Sequence, residues 1–83
     1  MKLPRDLSAS NLVRALAMRG YVVTRQKGSH RRLTTQQAGE HHITIPNHNA
    51  LRLGTLSSIL RNVAEHFEIS RDELTEELFG GES

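Results

Sequence analysis

The chain has 83 residues, which suits one small domain with a modest core, and no cysteine, which excludes disulfides and thiolate metal sites. No stretch approaches the roughly 20 apolar residues of a membrane span, and the opening MKLPRDLSAS lacks a signal peptide's apolar run, so a soluble, cytoplasmic protein is expected. The net charge of +2 is unevenly spread: residues 1–35 set Lys2, Arg5, Arg14, Arg19, Arg25, Lys27, Arg31 and Arg32 against Asp6 alone, whereas residues 70–83 set Arg71 against Asp72, Glu73, Glu76, Glu77 and Glu82. A basic front half suits a polyanionic partner, and an acidic tail suits solubility or contact with something basic.

The first element reads as a helix capped by Ser8, with Leu7 and Leu12 spaced as a hydrophobic staple and Leu12, Val13, Leu16 and Ala17 as its apolar stripe. Gly20 is its stop signal, and Arg14 and Arg19 are expected to face water or a partner. Tyr21 to Gln26 is rich in strand formers, Lys27-Gly28-Ser29 is a short turn, and His30 to Thr35 is the returning strand. After the QQAGE turn, His41 to Pro46 forms a third strand with Ile43 and Ile45 on one face and His42 and Thr44 on the other. If Leu33 faces the core with the two isoleucines, His30 lies an odd number of positions away and points to the open face.

Residues 47–53, NHNALRL, read as a loop. Gly54 then opens a helix capped by Thr55, whose apolar face is Leu56, Ile59, Leu60, Val63 and Phe67. Ser70 to Glu73 is a capping box for a short acidic helix, residues 71–79, which Gly80-Gly81 should end, leaving 80–83 as a frayed tail. The expected fold is a single α+β domain spanning 1–83, a double-stranded RNA-binding-domain-like sandwich of order α-β-β-β-α with a short C-terminal helix. In that fold RNA meets the first helix, the loop between the first two strands and the start of the helix after the sheet. Here those elements carry Arg14 and Arg19, the cluster from Arg25 to Arg32, and Arg52 with the N–H groups of Gly54 to Ser57.

Three segments in order, KGSHRRL after a strand, HITIP, and LGTLSSILR opening a helix, resemble the HicA toxins of bacterial and archaeal toxin–antitoxin systems, over about Leu3 to Leu74. The resemblance implies a double-stranded RNA-binding-like fold, an mRNA endoribonuclease activity in the cytoplasm, and inhibition by a cognate HicB antitoxin. It also implies that His30, in its Gly-Ser-His turn, is the catalytic histidine. Asn11 stands where such toxins commonly carry an acidic capping residue.

The residues themselves support a metal-independent mechanism with no cofactor. RNA carries its own nucleophile, the 2′-hydroxyl, so cleavage requires proton transfer and positive charge on the phosphate. His30 is the natural proton-transfer group in the turn, and Arg25, Lys27, Arg31 and Arg32 supply charge. Gly28 permits close approach of a phosphate, or serves the turn alone; Ser29 offers a hydroxyl and an N–H. His41, His42 and His48 lack metal-ligand spacing, and His42 is a second proton-transfer candidate on the His30 face. The alternative is a non-catalytic double-stranded RNA-binding module, against which an imidazole in place of another Arg argues. A DNA-binding regulator fits less well, because no helix-turn-helix pair with a basic recognition helix is visible.

Overall fold

A computed structural model describes residues 3–80. Helix α1 (Ala9–Leu16) runs into a 3₁₀ turn (Ala17–Arg19), followed by strands β1 (Val22–Lys27), β2 (His30–Thr35) and β3 (His41–Pro46), then α2 (Leu53–Phe67) and α3 (Arg71–Phe79). The strands form one antiparallel sheet in sequence order, so β2 is central and both neighbours are edges. This is the α+β order expected from the sequence.

The local signals at the ends of α1 and α3 behave as read. The Ser8 hydroxyl accepts from the Asn11 N–H at 3.0 Å, and the Ser70 hydroxyl accepts from the Glu73 N–H at 3.0 Å. Each cap satisfies an N–H group that the helix leaves without a partner. α2 departs from expectation. It begins at Leu53, two residues before the expected Thr55 cap, and its N-cap Arg52 makes no side-chain capping bond. The Arg52 carbonyl already engages the Leu56 N–H at 2.9 Å, so the N–H groups left open at this helix start run only as far as Thr55, and of the expected Gly54 to Ser57 span only Gly54 and Thr55 belong to them. Leu51, expected in a loop, is buried in the core.

Alternation along the strands separates the two sheet faces. Leu33, Ile43 and Ile45 are buried in one cluster with Leu12 and Leu16 of α1, Leu56, Leu60 and Val63 of α2, and Leu74 of α3. Burying each such leucine contributes about 1.5–3 kcal/mol. Both main helices therefore cover one face. The opposite face, carrying His30, Arg32, His42 and Thr44, is exposed. Of the expected α1 stripe, Val13 is half-buried, and Ala17 is exposed because the chain tightens into the 3₁₀ turn there.

Arg19 was expected to face water or a partner; instead it closes the fold. Its Nε donates to Glu77 Oε2 at 2.7 Å, its Nη2 donates to Glu77 Oε1, and its guanidinium lies 4.7 Å from the Phe67 ring centroid. Hydrogen bonding to Glu77 raises its pKa above the ordinary arginine value. The acidic third helix thus neutralises a cation of the basic half, and Leu74 anchors that helix in the core. Gly80, expected to begin the frayed tail, donates its N–H to the Glu76 carbonyl at 2.8 Å; the remaining tail residues lie outside the described span.

A second closure joins the strand ends to α2. The Tyr21 hydroxyl lies 2.7 Å from His41 Nδ1, and the His41 ring stacks on that of His66 at a centroid distance of 4.4 Å. His66 Nε2 donates to the carbonyls of Gln37 and Gly39, at 2.9 and 3.1 Å, tying the β2–β3 turn to α2. Burial pushes the Tyr21 hydroxyl up to about 12. The His41 pKa is lowered, first by burial and then by the nearby His66, while a hydrogen bond with Asn62 partly opposes the shift.

Two predictions follow from this packing. Gly20 has φ +81°, and a Cβ there would meet Gln37 Nε2 at 2.7 Å and Thr35 Oγ1 at 2.8 Å. Thr35 Oγ1 is fixed, since it donates to the Arg19 carbonyl at 2.7 Å and accepts from the Gln37 N–H at 3.1 Å. Gly20→Ala should therefore cost about 2 kcal/mol or more in urea unfolding. Gly54→Ala, whose Cβ would meet nothing within 4 Å, should be neutral or stabilise by about 0.5 kcal/mol.

His41 favours its neutral form in the folded state, so the unfolded chain binds its proton at higher pH. Its contribution is fully present above the unfolded value of about 6.5 and is lost as pH falls through the folded value. Thermal midpoints measured across this interval should drop toward acid, and His41→Gln should flatten the slope. An unchanged slope in the variant would assign the acid loss to other groups.

Candidate functional site

The β1–β2 connection is a two-residue turn, because Lys27 and His30 are directly paired and only Gly28 and Ser29 lie between them. Gly28 has φ +58° and Ser29 does not have positive φ, the pattern of a type II′ turn with glycine in its first central position. A Cβ at Gly28 would meet nothing within 4 Å. Of the two roles open to this glycine, the backbone angle is therefore the one the turn itself requires. The Asn47 N–H donates to the Ser29 carbonyl at 2.6 Å, tying the turn to the end of β3.

This turn holds His30 exposed on the open face, opposite Lys27 on one side and Pro46 on the other. Arg32 is the next β2 residue on the same face, about 7 Å along the strand. It is paired across the ladder with Arg25. His30, Lys27, Arg25 and Arg32 are all exposed and have no acidic partner among the described residues. Four of the expected site residues, with the Gly28-Ser29 turn beside them, therefore come together as one open, cationic strip.

Arg31 does not join that strip. It has the parity of Leu33, so its side chain lies on the helix side of the sheet, where Nη1 donates to Ser10 Oγ at 3.2 Å. Its Nε is buried without a hydrogen-bond partner among the described residues. Arg31 braces the start of β2 against α1 and places a positive charge beneath the site rather than within it. Arg14 and Arg52 are exposed on or beside the helices, away from the open face.

His41 and His42 point to opposite faces, as alternation requires: His41 packs with Tyr21 and His66, while His42 lies on the open face. His42 pairs with Thr34, four residues beyond His30, which places it about 13 Å along the strip. That separation is too great for both imidazoles to act on one phosphorus atom. Among the described residues no three His, Cys, Asp or Glu side chains come together as a metal-ligand group.

The sequence reading missed a polar chain crossing all three strands. Glu40 Oε2 accepts from His42 Nε2 at 2.9 Å, His42 Nδ1 lies 2.7 Å from Thr34 Oγ1, and Thr34 Oγ1 lies 2.9 Å from Thr24 Oγ1. Thr34 is only 7 % exposed although its parity is that of the open face, because Thr24 and His42 cover it. The cause is a register shift between Val23 and Arg25, a bulge that brings Thr24 beside Thr34. A bulge leaves no mark in residue types, and alternation alone would send Thr24 and Arg25 to opposite faces.

Comparison with known proteins gives one result. Residues 9–64, more than half of the chain, match the family model described as the HicA toxin of bacterial toxin–antitoxin. The matched span ends before α3, so the acidic helix and its Arg19–Glu77 contact lie partly or wholly beyond it. No curated protein and no solved structure matches the chain.

Proposed function

Since the chain belongs to the HicA family, toxins of toxin–antitoxin systems, we propose that it is a metal-independent endoribonuclease that cleaves mRNA, with His30 transferring protons at the scissile phosphate. The observation that carries this reading is the strip at the hairpin end: an exposed imidazole on a turn of fixed geometry, flanked by the cations Lys27, Arg25 and Arg32, which have no acidic partner among the described residues.

In this mechanism the 2′-hydroxyl attacks the adjacent phosphorus, forming an O2′–P bond as the P–O5′ bond breaks. His30 acts as the general acid or base, taking the 2′-hydroxyl proton or supplying one to the departing O5′, and water carries the other of these two protons. Lys27, directly across the ladder, balances the negative charge that grows on the nonbridging oxygens. The Gly28-Ser29 backbone and the Ser29 hydroxyl line the approach to the phosphate. Arg31 contributes from beneath the sheet, through its brace to Ser10 and its charge. Products are a 2′,3′-cyclic phosphate and a 5′-hydroxyl. No metal or other cofactor is needed for either bond change.

The same strip suits control by a HicB antitoxin. An acidic surface covering His30 and its flanking cations would block catalysis and compete with RNA for the same charges. Arg25, Lys27 and Arg32 would then serve both ligands, and antitoxin association would weaken as salt rises.

Inducing the protein in bacteria should arrest growth and deplete mRNA. His30→Ala should lower cleavage by at least about 100-fold, the ordinary contribution of a positioned acid or base, without changing the folded circular dichroism spectrum. Cleavage should persist in excess chelator and leave cyclic phosphate ends. Full toxicity from folded His30→Ala would favour a binding module that sequesters RNA; divalent-ion dependence with 5′-phosphate products would overturn the mechanism.

A further inference from the structure

Beyond His30, the open face holds a shallow cavity of about 480 Å³ whose walls include Thr24, Arg25, Arg32, Thr34, Glu40 and His42. Its two cations and its carboxylate are arranged in a way that structural needs do not explain. Arg25 and Arg32 face each other directly across the ladder, a like-charge pairing that costs stability, and neither forms an ion pair with a carboxylate among the described residues. On the neighbouring rung, His42 is held at both ring nitrogens, by Thr34 at 2.7 Å and by Glu40 at 2.9 Å, so the ring has a fixed face. Glu40 is 60 % exposed and uses only Oε2 in that contact.

These two rungs ask for different parts of one ligand. A phosphodiester satisfies Arg25 and Arg32 together. A second phosphate beside Glu40 would be repelled, whereas a base with an exocyclic amine could donate to the free carboxylate oxygen and lie against the His42 ring. The distance from the His30 rung to the Arg25–Arg32 rung, about 7 Å by strand rise, is comparable to one nucleotide step of an extended single strand. We propose that this cavity is a nucleotide subsite for single-stranded RNA, in which Arg25 and Arg32 hold the phosphate next to the scissile one and Glu40, positioned with His42, selects a base bearing an amino group.

The proposal rests on the reading that His30 marks the scissile phosphate, and it adds a strand path and a base preference. The path runs over the open face. It does not use Arg14, the start of α2 or the helix-side surface by which a duplex reader of this fold would engage RNA.

The test uses the full chain carrying His30→Ala and fluorescein-labelled oligo(C) and oligo(U), read by anisotropy across salt. Oligo(C) should bind about tenfold more tightly than oligo(U), and Glu40→Gln should bring the ratio close to one. Changing Arg25 and Arg32 together to Gln should weaken both ligands equally and reduce the salt slope by about one to two. Thermal midpoints confirm that each variant is folded; these side chains are exposed, and Thr44→Ala on the same face serves as a control expected to leave both the ratio and the slope unchanged. A C/U ratio that survives Glu40→Gln would remove the base-reading role. An unchanged salt slope in the arginine variant, or tighter binding of a blunt RNA duplex of equal length, would remove the subsite itself. Binding is measured without cleavage, so these results stand apart from the nuclease assignment: failure of the parent to cleave RNA would refute that assignment and leave the base ratio readable.

Discussion

The register of the β1–β2 hairpin is the constraint on which the rest of the molecule depends. Two residues, Gly28 at φ +58° and Ser29, close the turn, and the pairing of Lys27 with His30 fixes every rung behind it. Because side chains alternate, this one register sends Leu33 into the core and His30, with Arg32, to the open side. A slip of one residue would exchange His30 with Arg31, placing an imidazole against α1 and burying Arg32 where Leu33 belongs. The burial of Leu33 and the exposure of His30 are therefore enforced together.

The two sheet faces divide the charges between structure and chemistry. On the helix side, cations are given partners: Arg19 meets Glu77 from α3, and Arg31 meets Ser10 from α1. On the open side Lys27, Arg25 and Arg32 remain without acidic partners among the described residues. The clustered positive charge raises the energy of the free fold slightly and is relieved when an anion binds. The histidines divide in the same way. His41 and His66 are stacked and tied to the β2–β3 turn, whereas His30 stays exposed and His42 is held in a polar chain.

Much of this was legible in the sequence because its signals are local. β2 and β3 begin and end where turn residues and alternation place them, and Ser8 and Ser70 announce their helices through contacts three residues long. The start of α2 was misread because Arg52 caps with its backbone alone, leaving no Ser, Thr, Asp or Asn at the true boundary. The fates of Arg19 and Arg31 could not be read at all. Their partners lie 58 and 21 residues away, and nothing in an arginine's identity distinguishes one braced against a helix from one presented to a ligand. The Thr24–Thr34–His42–Glu40 chain was hidden for a related reason: a bulge changes which residues share a face without changing which residues are present.

The central claim is that RNA meets the open sheet face rather than the helix-side surface used by duplex readers of this fold. Amide and side-chain NMR shifts of isotope-labelled His30→Ala protein, titrated with a short single-stranded RNA, test it most directly. The account predicts the largest changes at Lys27 to Arg32, at Arg25, and at Glu40 and His42, with Arg14 and the first turn of α2 nearly still. Changes concentrated on Arg14 and the Arg52–Thr55 segment, with the open face unmoved, would contradict it.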